Sequence, residues 1–102
     1  MSCELNSENF DIEINQAGVY AVRFWAVWCG PCRVMAPVFK AVAQDLQGAV
    51  KFGEVDLDKF PMLAARYGVQ SIPTVLLFKD GNLTSRAVGA LPRKDLLNFV
   101  SK

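Results

Sequence analysis

The sequence contains no histidine, the side chain that most often ligates metals and most often acts as a general base near neutral pH. It has only three cysteines, an odd and small number for the disulfide framework of a secreted domain. No apolar run approaches the roughly 20 residues that a membrane-spanning helix needs. The first residues lack a basic segment followed by an apolar one, so the sequence predicts no secretory signal.

An excess of charge of one sign is also missing. Lys and Arg number 11 and Asp and Glu number 10, which gives a net charge of +1, and no run of like charge occurs. We therefore expect neither nucleic acid nor a membrane surface as a partner. The 102 residues suffice for one domain, and we expect residues 1–102 to form it. Apolar residues make up 52% of the chain, enough for a core without structural metals or disulfides.

The first half of the chain alternates between helical and strand patterns. Ser7 followed by Glu8 predicts the N-cap of a short helix. Residues 19–26 are almost entirely apolar, as expected of a central strand that is buried on both faces. From residue 35 to residue 46 the apolar positions follow the helical repeat, so a long helix is predicted, with a kink at Pro37.

The second half adds a strand at 50–55 and a short helix at 61–67. Strands at 74–78 and 83–88 are joined by Asp80-Gly81, a hairpin signal, and a C-terminal helix begins at Pro92. The order βαβαβαββα predicts an α/β fold with a central mixed five-stranded sheet flanked by four helices. Ligand sites in such sheets lie beyond the carboxyl ends of the strands.

One motif lies at the carboxyl end of a predicted strand. It is Trp28-Cys29-Gly30-Pro31-Cys32, which directly follows the apolar strand and begins the long helix. Two residues three apart in the first helical turn share a face, so their sulfurs can reach bonding distance. A disulfide that closes so short a loop adds little stability, and it is easily made and broken. Pro31 suits the first turn, while Gly30 leaves room for a partner chain to approach.

The helix N-terminus supplies free N–H groups and a positive dipole end, and both stabilise a thiolate over a thiol. Cys29, the first and outermost cysteine, gains most from this and is predicted to be the attacking nucleophile. Cys32, one turn further in, is predicted to resolve the mixed disulfide. Trp28 gives the site a hydrophobic rim.

Other interpretations of the cysteines remain open at this stage. A C-x-x-C pair can be half of a zinc site, but the chain has neither a second pair nor a histidine, so we expect no metal. The pair could also be inert in an adaptor that has lost redox activity. Cys3 is interpreted as a spare thiol of the first strand, with a regulatory or intermolecular role as the alternative.

Four segments together resemble the thioredoxin family. Residues 24–33 (FWAVWCGPCR) resemble its active-site segment, and residues 67–74 (YGVQSIPT) resemble the segment that carries its cis-proline. Residues 78–81 and 88–90 match two further landmarks, and the similarity runs from about Leu5 to the last helix in the same order. The resemblance implies the thioredoxin fold.

The resemblance also implies a function: a cytoplasmic protein-disulfide reductase, monomeric and without a bound cofactor, that accepts electrons from a flavin-dependent thioredoxin reductase. Pro73 would be the cis residue facing the cysteines, turning the backbone of residues 71–72 outward to pair with a substrate strand. Without the resemblance Pro73 would be interpreted as a plain turn residue. The implied substrate-binding residues are Trp28, Gly30, Pro31, Leu57, Gly68, Ile72, Pro73, Val88 and Gly89.

The sequence departs from the family at two positions. Arg23 stands where the family has a buried aspartate beneath the resolving cysteine, and Glu54 stands where it has the lysine paired with that aspartate. One interpretation is a structural charge swap, because buried charges are tolerated only when partnered. The other is an altered redox poise. Arginine cannot accept a proton, and Glu54 could replace the missing base if its carboxylate reached Cys32.

The sequence therefore predicts a thiol–disulfide oxidoreductase that cycles between the Cys29-Cys32 dithiol and its disulfide. Two alternatives stay open. The first is a more oxidising carrier or isomerase tuned by Arg23, which a measured reduction potential would distinguish. The second is a non-enzymatic interaction subunit that uses the fold as a clamp, which would keep its cellular function after Cys29→Ser.

Overall fold

A computed structural model describes residues 2–102. The elements in chain order are β1 (Ser2–Glu4), α1 (Phe10–Ile14), β2 (Val19–Trp25), α2 (Gly30–Asp45), β3 (Val50–Asp56), α3 (Pro61–Arg66), β4 (Thr74–Lys79), β5 (Asn82–Val88) and α4 (Arg93–Val100). The order predicted from the sequence is confirmed, with bounds that differ by one or two residues at most of the strands and helices.

The five strands form one sheet in the order β1-β3-β2-β4-β5. β1, β3 and β2 run parallel, whereas β4 is antiparallel to β2 and β5 is antiparallel to β4. The sheet is therefore mixed, as predicted, because the helical crossovers make parallel neighbours and the Asp80-Gly81 hairpin makes an antiparallel pair.

Helices cover both faces of the sheet. Residues of α1 and α3 pack in one apolar cluster with Tyr20, Val22 and Phe24 of β2. Residues of α2 and α4 pack in a second cluster with Ala21, the residue that alternates with them along the same strand. Because side chains of a strand point to opposite faces in turn, β2 contributes to both clusters and is buried along most of its length.

The start of α1 differs from the prediction. Ser7 is not its cap, and the helix begins at Phe10. Instead, Asn6 Oδ1 accepts hydrogen bonds from the backbone N–H groups of Glu8 and Asn9, both at 2.8 Å, while Asn9 Oδ1 accepts from the N–H of Asn6 at 2.7 Å. Asn6 thus takes the N–H of Asn9, one of the two donors within reach of a cap at Ser7, and its backbone carbonyl takes the other, the N–H of Phe10.

No helix within residues 2–102 combines the length and the apolar character that crossing a bilayer demands. α2, which contains Pro37, begins beyond the carboxyl end of β2, and the Cys pair lies at its N-cap and in its first turn. The loop from α3 to β4 returns to the same end of the sheet, because β4 is antiparallel to β2 and Phe24 pairs with Thr74.

Candidate active site

The Cys pair occupies the first turn of α2. Cys29 is the N-cap residue with an extended backbone, and its sulfur accepts the backbone N–H of Cys32 at 3.2 Å. Cys29 and Cys32 are joined by a disulfide, with their Cα atoms 5.2 Å apart. In the reduced form, the same N–H group and the helix dipole are placed to stabilise negative charge on Cys29 Sγ.

Both cysteines are nearly buried. Cys29 is 5% exposed and Cys32 is 2% exposed, so Cys29 is the outer residue by only a small margin. The two pack in a small cluster with Ala26, flanked by Trp25 and Ile72. Only a small part of Cys29 is therefore exposed, and its sulfur lies beside the loop that precedes β4.

That loop faces Cys29 with a backbone carbonyl. Ile72 O lies 3.8 Å from Cys29 Sγ, and the Ile72–Pro73 bond is cis, as predicted from the resemblance. The hydroxyl of Thr74 donates to Ser71 O at 2.6 Å, and the N–H of Gly89 donates to Pro73 O at 2.8 Å. The backbone around Ile72 is thus bonded on both sides.

The predicted substrate-binding residues divide into two groups. Near the cysteines, Ile72 flanks the Cys cluster, and Trp28 is 63% exposed with its indole Nε1 donating to Asp58 Oδ2 at 2.9 Å. Val88 is exposed and pairs with Thr74 across the β4–β5 ladder.

By contrast, Leu57 and Gly68 line a cavity of about 430 Å³ beside α3 whose walls include neither cysteine. Gly30 and Pro31 are exposed on the first turn of α2.

Arg23 and Glu54 form an ion pair, as the sequence predicted. They are direct neighbours in the β2–β3 ladder, and Arg23 Nε donates to Glu54 Oε2 at 2.8 Å, while Nη2 bonds the same oxygen. Arg23 is 3% exposed, and its guanidinium also lies against the rings of Trp25 and Phe39. The pair compensates a charge that would otherwise be stranded beside the apolar core.

Arg23, not Glu54, makes the hydrogen bond to Cys32. Its Nη1 donates to Cys32 O at 2.9 Å, while the other oxygen of Glu54 accepts from Ser2 Oγ at 3.3 Å. A cavity of about 720 Å³ lies against this contact, with Arg23, Cys32 and Glu54 in its wall. The arginine therefore ties the first turn of α2 to the sheet.

Cys3 lies away from the Cys pair. It lines a cavity of about 370 Å³ together with Glu13 and Tyr20. Burial, followed by the nearby Glu13 carboxylate, raises the pKa of the Cys3 thiol, and burial and the same carboxylate raise the pKa of Tyr20. Within residues 2–102 no cluster of three or more His, Cys, Asp or Glu residues that could hold a metal ion is present.

Three residues at this end of the sheet were not singled out from the sequence. Asp58 holds the Trp28 indole, Thr74 bonds the loop carbonyl, and Arg86 of β5 donates to the carbonyls of Tyr67 and Gly68. Their sequence signals are weak, because an Asp in a loop, a Thr that opens a strand and an Arg in an exposed strand are common.

Comparison with known proteins identifies relatives along the whole chain. A family model described as Thioredoxin matches residues 1–102. A thioredoxin of Staphylococcus saprophyticus is 41% identical over 99 residues, covering 97% of this chain and 94% of the relative. A thioredoxin of Staphylococcus aureus is 39% identical over 99 residues with the same coverage. A chloroplastic M-type thioredoxin of Triticum aestivum is 47% identical over 81 residues, covering 79% of this chain and 46% of the relative.

Proposed function

The chain belongs to the thioredoxin family, and from that premise we propose which of its residues attack, resolve and bind a disulfide substrate. The protein is a thiol–disulfide oxidoreductase that reduces protein disulfides. The observation that carries this activity is the Cys29–Cys32 disulfide at the start of α2 in a chain whose relatives are named thioredoxin. Neither the isomerase nor the interaction-subunit alternative is favoured by these relatives.

Cys29 is proposed as the nucleophile. Its thiolate attacks one sulfur of a substrate disulfide, a new S–S bond joins Cys29 to the substrate, and the other substrate sulfur leaves as a thiolate that takes up a proton. Two observations support this role. Cys29 Sγ accepts the N–H of Cys32, and it lies at the loop carbonyl where a substrate chain can approach.

Cys32 is proposed as the resolving thiol. Its thiolate attacks Cys29 Sγ in the mixed disulfide, the bond to the substrate breaks, and the second substrate thiol is released while Cys29–Cys32 re-forms. Two electrons have then passed from the protein to the substrate. The 2% exposure of Cys32 supports the assignment, because a buried thiol meets the neighbouring Cys29 more readily than an external disulfide.

The substrate-binding surface is proposed to combine the Trp28 rim, the Gly30-Pro31 turn and the backbone at Ile72-Pro73, bordered by Val88 and Gly89. An extended substrate segment would pair with the backbone next to Ile72, as strands do when they join a sheet edge. Leu57 and Gly68 would serve as a more distant part of this surface, consistent with the separate cavity that they line.

For Arg23 and Glu54 we propose that they tune the reactivity of Cys32 by fixing the position of the helix turn that carries it. The guanidinium is neutralised by Glu54 and holds the carbonyl of Cys32, so it fixes the turn from which the resolving thiol acts. Any effect on the reduction potential would come from the residual positive field, which favours thiolates over thiols and hence the reduced form.

The cellular setting is also part of the proposal. A reductase partner restores the dithiol, and we propose that it is a flavin-dependent thioredoxin reductase, that the protein acts as an electron carrier in the cytoplasm, and that residues 1–102 work as a monomeric single domain without a cofactor. The exposed Trp28 beside the Cys pair offers a surface that both a reductase and a substrate can use in turn.

An insulin-reduction assay tests the function. The reduced protein should accelerate precipitation of the insulin B chain with dithiothreitol as electron source, and a thioredoxin reductase with its nicotinamide cofactor should replace dithiothreitol. Cys29→Ser should reduce both rates to background, whereas Cys3→Ser, the matched control, should leave them unchanged. A wild-type rate at background with either electron source would contradict the proposed function.

A further inference from the structure

Arg86, on strand β5, bonds the segment that leads from α3 into the loop facing Cys29. Its Nη1 donates to Gly68 O at 3.3 Å, and its Nη2 donates to Tyr67 O. Two carbonyls in the last turn of α3 are already occupied, because Ala64 O accepts from Tyr67 and Val69, and Ala65 O accepts from Gly68. Arg86 instead bonds two carbonyls just beyond the helix, at the point where the loop begins.

An irregularity in the hairpin directs Arg86 to this side of the sheet. The β4–β5 register shifts between Leu77 and Phe78, so that Leu77 pairs with Ser85 but Phe78 pairs with Leu83. Arg86 consequently stands opposite Leu76, whose side chain packs in the apolar cluster that contains α3. Cross-strand partners point to the same face, and a one-residue slip would turn Arg86 to the other face.

Hydrogen bonds hold the loop at four places. Arg86 bonds the carbonyls of residues 67 and 68, and the N–H of Val69 donates to Ala64 O at 2.9 Å. Thr74 bonds Ser71 O, and the N–H of Gly89 bonds Pro73 O. Ile72, whose carbonyl lies 3.8 Å from Cys29 Sγ, lies between these last two. Loss of Arg86 loosens the loop at residues 67–68 while the other three holds remain.

We propose that Arg86 is a positioning residue for protein-disulfide substrates: by fixing the carbonyls of Tyr67 and Gly68 it holds the backbone at Ile72 where a substrate chain pairs with it. The proposal rests on the proposed function of the Ile72 backbone. Arg86 makes no bond to either cysteine, so the sulfur chemistry itself does not depend on it. Loss of Arg86 should weaken the binding of protein substrates that pair with the backbone at Ile72. It should not affect small disulfides that contact only Cys29.

The test compares two substrates with wild type, Arg86→Ala and Arg86→Lys. With insulin, KM should rise about fivefold in Arg86→Ala with kcat little changed, the loss expected when a charge-assisted hydrogen bond is replaced by water. With a chromogenic small aromatic disulfide, the rate should stay at the wild-type value. Arg86→Lys, which keeps a donor for these carbonyls, should recover most of the insulin KM. The matched control is Arg93→Ala, which removes another exposed arginine, paired with Asp45 across α4 and α2.

Amide hydrogen exchange at residues 69–72 provides the direct readout of position. It should accelerate in Arg86→Ala and not in Arg93→Ala. Unchanged exchange would overturn the proposal whether or not KM changes. If KM rose without faster exchange, Arg86 would contact the substrate directly; if neither changed, Arg86 would have no role in substrate binding. An equal loss on both substrates would also overturn it. A wild-type protein inactive on insulin would instead refute the proposed function, so the two failures are distinguishable.

Discussion

The two sulfurs of the active site face two differently built surroundings. On the Cys32 side, a nearly buried ion pair between Arg23 and Glu54 holds the helix turn to the sheet. On the Cys29 side, the loop at Ile72 is held mainly by hydrogen bonds to backbone carbonyls, including those of the exposed Arg86. The difference predicts that changes to the ion pair lower the free energy of unfolding more than changes to the hydrogen bonds of the loop.

The comparison is sharpest when each sulfur is removed in turn. Cys32→Ser should accumulate covalent mixed disulfides with substrate proteins, because attack by Cys29 proceeds and resolution cannot follow. Cys29→Ser should accumulate almost none. Non-reducing gels of each variant incubated with oxidised insulin, with Cys3→Ser combined in both to remove the third thiol, measure this. Equal trapping by the two variants would contradict the assigned roles.

Removing one member of the Arg23–Glu54 pair tests the cost of the buried side. Glu54→Leu strands a guanidinium that is 3% exposed and should lower the free energy of unfolding by about 3–5 kcal/mol. Arg23→Met should cost less, because the side chain of Glu54 is 23% exposed and water can reach its carboxylate. Denaturant melts give both values.

The double variant Arg23→Met, Glu54→Leu completes that cycle. It should be destabilised by much less than the two single changes added together, because no charge is left without a partner. If the loss of unfolding free energy in the double variant equalled the sum of the two single losses, the two side chains would not be coupled. The Cys32 side of the site would then have no energetically linked pair to distinguish it from the Cys29 side.

Alkylation separates the three thiols of the reduced protein. Cys29 should react first with iodoacetamide near neutral pH, since the helix N-terminus stabilises its thiolate. Cys3 should lag by more than about tenfold, because its raised pKa leaves less thiolate at that pH, and its rate should rise as the pH is increased. Peptide mapping after brief treatment measures the order. Faster labelling of Cys32 than of Cys29 would reverse the roles.

The smallest expected effect concerns the reduction potential. The variant Arg23→Asp, Glu54→Lys introduces the aspartate and lysine that the resemblance implies for the family at these positions. Because Glu54 neutralises Arg23 in the present protein, the two potentials should differ by less than about 30 mV, the equivalent of about 1.4 kcal/mol, with the wild type the higher of the two. Equilibration of both proteins with glutathione buffers measures this. A much larger difference would show that the buried side also sets the redox poise.

Local sequence patterns predicted the helices, the strands and the Cys pair, but they predicted only some of the individual side-chain contacts. The helix repeat from residue 35 to residue 46 and the apolar run of β2 are short-range signals, and both elements are present. The predicted cap at Ser7 was wrong, because Asn6 accepts the N–H groups of Asn9 and Phe10 that a Ser7 cap would bond. Arg86 was missed because the register shift between β4 and β5, which decides its face, leaves no reliable trace in the sequence.

The sequence by itself determined the redox-active pair, since a C-x-x-C spacing at a helix start brings two sulfurs together through a single turn, whatever the rest of the chain does. It also indicated that a lone arginine in an apolar strand needs an acid. No local pattern decided which groups meet across long separations; these meetings were expected only through the resemblance, and the tertiary structure brings them about. Arg23 meets Glu54 31 residues away, and Cys29 meets the carbonyl of Ile72 43 residues away. Such contacts depend on strand order and register, which arise from packing of the whole chain rather than from any local pattern.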